Sequence, residues 1–70
     1  MEVKKEKDKL FRLITFPKRP TYTKLSETIS AKLKIDQSQI DVIATESNLL
    51  VEDDSVKAVR NKRLIVYLLK

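Results

Sequence analysis

Arg63-Leu64-Ile65-Val66-Tyr67-Leu68-Leu69-Lys70 sets six apolar or aromatic residues in a row between basic ends, with no Gly or Pro among them. A helical segment of this length is the competing reading, but Ile65, Val66 and Tyr67 in succession favour a strand. The unbroken apolar run predicts a strand buried on both faces, at the centre of a sheet. A short chain with one such strand has to wrap its other elements around it.

Working back from that strand, Arg60-Asn61-Lys62 reads as the turn into it, and Glu52-Asp53-Asp54-Ser55 opens a loop or single helical turn through Val56 and Val59. Leu49 to Val51 is a short fourth strand, preceded by the turn Glu46-Ser47-Asn48, where Asn48 suits a positive φ. In Ile40 to Thr45, Ile40, Val42 and Ala44 alternate with Asp41, Ile43 and Thr45, which predicts a third strand with a partly exposed second face. The period then changes. Leu25, Ile29 and Leu33 recur every four residues behind Tyr22, which predicts a helix over Thr23 to Lys34 capped by Thr21 or Thr23. Three turns are marginal alone, so the stripe must pack on the sheet.

Lys9 to Phe16 carries Leu10, Phe11, Leu13, Ile14 and Phe16 and predicts a second strand, ended by Pro17. Pro17-Lys18-Arg19-Pro20 follows as a stiff basic connector. Met1 to Asp8 holds six charged residues in eight. It admits two readings, a charged tail, or a first strand over Glu2 to Lys7 closed by a turn at Asp8 and Lys9.

Seventy residues make one small domain, a size at which about 60% of the unfolded surface is buried. The chain has no Cys, no His and no Gly. Disulfides, thiolate metal sites, histidine general bases and glycine-rich phosphate loops are thereby excluded. The expectation is a non-enzymatic protein with no cofactor, no metal and no membrane span, in an intracellular setting, cytoplasmic or nuclear. The net charge of +5 is unevenly spread. Met1 to Lys34 holds ten Lys/Arg against four Asp/Glu, Ile35 to Asp54 holds six acids and no base, and Ser55 to Lys70 holds five bases and no acid. Such a triblock points to a charged partner, or to a surface whose charges serve solubility.

The element order is strand or tail, strand, helix, strand, short strand, helical turn, strand. A helix between strands implies a right-handed crossover. The expected fold class is α+β, a ubiquitin-like β-grasp with a mixed four- to five-stranded sheet and one helix, about residues 23–34, across one face. Residues 9–70 form the single domain, with residues 1–8 as its tail or first strand.

Within that frame, Pro20-Thr21-Tyr22-Thr23-Lys24-Leu25, Glu46-Ser47-Asn48-Leu49-Leu50-Val51, Asp54-Ser55-Val56 and the alternating Leu64, Val66, Leu68 together resemble Phox/Bem-type domains. The resemblance covers about Leu10 to Leu69. It implies a protein-interaction module in a larger scaffold or signalling protein, basic face against acidic face, with another ubiquitin-fold domain as partner. Basic-type members place a critical Lys on the first strand, which falls on Lys4 or Lys5; Arg12 extends that face, and Lys7, Lys18 and Arg19 complete the basic set. Acidic-type members carry an acid-rich loop containing a Gly, and Glu46-Ser47-Asn48 departs from it. Glu46, Glu52, Asp53 and Asp54 offer a second, weaker acidic face.

Other readings stand beside this one. Lysines on a strand edge also block sheet-to-sheet aggregation, which would account for Lys4, Lys5 and Lys7 without a partner. A ubiquitin-like modifier needs a tail ending in Gly, and the expectation without one is a docking domain, of this or another ubiquitin-like family. Nucleic-acid binding is motivated by a pI near 9.6 and by Lys18, Arg19, Arg60, Lys62 and Arg63. Its stacking aromatics would have to come from Phe11, Phe16, Tyr22 and Tyr67, each of which can serve the core. Glu52 to Asp54 lacks the ligand spacing and the Gly of a calcium loop. The expected state is a monomer or weak head-to-tail self-association.

Overall fold

The computed structural model describes residues 1–19 and 21–69. Pro20 of the basic connector and Lys70 at the end of the predicted closing strand lie outside the described residues. Strands β1 (Glu2–Lys5), β2 (Arg12–Leu13), β3 (Ile40–Thr45) and β4 (Arg63–Leu68) form one mixed sheet in the order β2-β1-β4-β3, crossed on one face by helix α1 (Tyr22–Leu33). The domain is α+β and β-grasp-like. β4 runs parallel to β1 and antiparallel to β3.

β4 holds the interior position that its composition predicts. Burial on both faces is corrected: Leu64 and Val66 are fully buried towards α1, whereas Ile65 and Tyr67 are only half-buried and Arg63 is exposed. One helix covers one face of the sheet, so the pleat sends alternate residues to the side away from the helix, which is less completely covered. The parallel register sets Val3 beside Leu64, and both are fully buried. Of the two readings open for the first residues, the chain has the strand, and it ends at Lys5. Asp8 N–H donates to Lys5 O at 3.0 Å, so the tight turn is Glu6-Lys7 and not Asp8-Lys9.

The predicted strand from Lys9 to Phe16 shrinks to two residues. Leu10 is 80% exposed and Leu13 70%, while Ile14 is buried and Phe16 packs against the core from its rim. Apolar content made this stretch look like a full strand. At a sheet edge, with the chain turning away into the connector, only Ile14 reaches the interior.

Helix α1 starts one residue before its predicted start. Thr21 is the N-cap, its Oγ1 accepting Lys24 N–H at 3.1 Å, and Lys34 ends the helix in the left-handed region at φ 58°. Leu25, Ile29 and Leu33 are buried as their spacing dictates. Ser26 and Ser30 are buried beside them, their hydroxyls donating to Thr23 O and Glu27 O at 2.9 and 3.0 Å, which satisfies them inside the helix.

In β3 a register shift between Ile40 and Val42 changes the phase of the alternation, so Ile43 and not Val42 is fully buried, opposite Val66. Asn48 takes φ 68° in the following turn. The predicted strand Leu49–Val51 is a single bridge between Leu50 and Ala44, flanked by Thr45 N–H to Leu49 O and Val51 N–H to Ile43 O. A 3-10 turn at Val56–Val59 buries both valines beneath the sheet's helix-side core.

Candidate protein-interaction surface

The basic residues of the β1–β2 hairpin are sorted by the pleat. Val3 and Lys5 project to the helix side, Glu2 and Lys4 to the side away from the helix. Lys4 and Lys5 therefore belong to different surfaces. Lys4 Nζ donates to Asp8 O at 2.9 Å, bracing the hairpin turn, and lies 5.4 Å from the centre of the Phe11 ring. Arg63 places its guanidinium carbon 5.1 Å from the same ring and pairs with Glu2 at 3.5 Å and Glu46 at 4.0 Å. Exposed ion pairs and cation–π contacts of this kind contribute up to about 1 kcal/mol each. Their main effect is to order this part of the face away from the helix.

On the helix side, Lys5 is half-buried. With Lys9, Arg12, Leu10 and Leu33 it lines a cleft of about 410 Å³, to which Asp8 contributes the acidic side chain. Arg12 lies opposite Val3 in the hairpin register, which puts it on the same face as Lys5. Lys7 stands exposed on the turn. Lys18 and Arg19 are exposed on the connector, where Lys18 joins Phe16, Pro17, Lys57 and Arg60 around a separate hollow. The Arg60 guanidinium carbon is 5.8 Å from the Phe16 ring centre. The six predicted basic residues thus divide among the cleft, the face away from the helix, the turn and the connector.

The predicted acidic residues follow β3 in the chain, and two of them already have partners. Glu46 faces Arg63. Asp53 Oδ1 accepts Tyr22 N–H at 2.7 Å, so it serves the first turn of α1. Glu52 is tied by its backbone to Ser55, whose Oγ accepts Glu52 N–H at 2.8 Å. Asp54 is exposed. Burial, and then the negative charge of Asp41, hold the Tyr22 hydroxyl above its ordinary value.

Sequence reasoning weighed Phe11 as a core or stacking aromatic and Arg63 as a base of the closing strand, and so missed their contact. Opposite-charge pairing of Glu2 with Arg63 becomes readable only once β1 and β4 are known to run in parallel. Among the described residues, no cluster of three or more Asp or Glu is placed to hold a metal ion, and no helix is long and apolar enough to cross a membrane. Compared with known proteins, the chain matches no family model, no curated protein and no solved structure, so the residues and their geometry carry the functional reading.

Proposed function

We propose that this domain is a non-enzymatic docking module of intracellular proteins, whose basic helix-side surface takes an acidic surface of a protein partner, in the manner that the Phox/Bem-type resemblance implies. The observation that carries the reading is the convergence of Lys5, Lys9 and Arg12 on one cleft with leucines in its lining. Three cations around an apolar surface suit a partner that brings carboxylates and apolar side chains together. Such complementarity raises association rates and fixes orientation. Lys5 leads this face; Lys4, held by Asp8 and Phe11, supports the hairpin.

Calorimetric titration with acidic ubiquitin-fold domains tests the reading. Lys5→Glu with Arg12→Glu is expected to weaken binding by at least about tenfold with an unchanged circular-dichroism spectrum, and Lys4→Gln by much less. Unchanged affinity in the double variant would sink the assignment.

A second reading draws on the hollow at Phe16, Lys18, Lys57 and Arg60, where bases adjoin an aromatic ring. Single-stranded nucleic acid recognised there would bind with a steep salt dependence. Titration with oligo-uridine at low and moderate salt separates the two, because Lys5 and Arg12 lie outside this hollow.

A further inference from the structure

The outer edge of β2 is open, and its backbone is oriented for pairing. Ile14 N–H donates to Met1 O at 2.9 Å and the Met1 amine donates to Ile14 O at 3.3 Å, so Met1 and Ile14 exchange hydrogen bonds across the hairpin. By the alternation of an antiparallel ladder, Leu13, opposite Glu2, turns its N–H and C=O away from β1. Among the described residues no turn or loop backbone bond reaches either group. An edge of this kind is usually blunted by charge or covered. Here the edge is short and carries Arg12, but it is also flanked by leucines that are mostly exposed.

Two hollows lie between this edge and α1. One is the cleft of Lys5, Lys9, Arg12 and Leu33. The other is shallow, lined by Leu13, Ile14, Thr28, Ala31 and Lys32. A strand laid against β2 would send alternate side chains to one face, about 7 Å apart, into positions that these hollows offer in succession. Lys9, Arg12 and Lys32 border the path, so the charge that complements it is negative.

We propose that the β2 edge and the groove beside α1 bind an extended, acidic and β-branched segment of a partner protein, which adds to the sheet as a further strand through the backbone of Leu13. This rests on the basic docking surface proposed above and specifies how the partner reaches it. The main-chain ladder supplies affinity without demanding one sequence, and the flanking bases select acidic segments over neutral ones.

The test is a heteronuclear NMR titration of the whole domain with the blocked peptide Asp-Glu-Val-Ile-Val-Ile-Asp-Glu. Saturable shifts at residues 9–15 and on the Thr28 and Lys32 side of α1, with slowed exchange of the Leu13 amide, are expected. Leu13→Pro removes the outward N–H at a strand edge that tolerates proline. It should weaken the peptide by at least about tenfold while the melting temperature stays close to wild type. Replacing the peptide's acids by Lys should weaken it similarly. Should Leu13→Pro unfold the domain, the Leu13 amide exchange in the unaltered protein decides alone. Shifts elsewhere, or no slowing at Leu13, overturn the strand-addition proposal. If a folded acidic domain still binds in a Lys5- and Arg12-dependent way, the docking surface stands and only the mode falls; loss of both removes the surface itself.

Discussion

The carboxylate of Asp53 accepts the backbone N–H of Tyr22 at 2.7 Å, joining the loop after β3 to the first turn of α1. The helix has no acidic residue of its own in that turn, so its positive end is served from a distant part of the chain. Thr21 takes a second orphan donor there. Asp53→Ala is expected to cost about 1 kcal/mol, and Asp53→Asn less, since the amide oxygen still accepts. In a domain of this size the alanine variant should melt about 4–8 °C lower. Thermal denaturation by circular dichroism reads both.

Lys34 closes the same helix at φ 58°, a conformation that suits glycine better than a residue with a Cβ. Lys34→Gly should raise the urea midpoint, by a stability gain of about 0.5–1 kcal/mol, because relief of the left-handed strain exceeds the entropy lost. A lowered midpoint would show that the Lys34 side chain holds the cap in some other way.

Two leucines of like size separate core from surface. Leu64 is fully buried against Val3 and α1, while Leu50 is 56% exposed beyond β3. Leu64→Ala should cost about 2–5 kcal/mol. Against the small net stability of a domain this short, that leaves a substantial unfolded fraction at room temperature. Leu50→Ala should stay within about 0.5 kcal/mol. Chemical denaturation of the pair measures the difference.

Burial first, and the Asp41 carboxylate second, raise the Tyr22 hydroxyl above the ordinary tyrosine value near 10. The fold favours the neutral phenol. Its contribution is complete below the unfolded-state value near pH 10 and is lost as pH rises through the higher folded-state value. Tyr22→Phe should flatten that alkaline decline in stability. Asp41→Asn should lower the Tyr22 titration part of the way, since the larger cause remains. Denaturation midpoints followed against pH check the first, and absorbance near 295 nm followed against pH checks the second.

The sheet's spine and the helix were legible because each depends on a pattern that tertiary context reinforces. Leu25, Ile29 and Leu33 share one side of any helix, and Leu64 with Val66 share one side of any strand. The edge was misread for the opposite reason. Leu10 and Leu13 are as apolar as core residues, and only their place beyond β1 leaves them exposed. Ile43 replaced Val42 in the core through a register shift that no local composition announces. The charge of the basic residues was legible, but their placement in the fold was not. Lys4 and Lys5 are neighbours in sequence, and the pleat alone, once β1 is known to pair with β4, puts them on opposite sides.

The side-by-side pairing of β1 and β4 also governs when this domain can fold. Neither β1 nor β2 pairs with β3; the two halves of the sheet meet only through β4. A nascent chain that has emerged as far as β3 therefore lacks the strand that joins its parts, and the Leu25, Ile29 and Leu33 stripe has no completed sheet to pack on. Contacts between strands so far apart in the chain close slowly. Translation must deliver Arg63 onward before the sheet exists, and until then the apolar stripe that the finished domain buries has nothing to cover it.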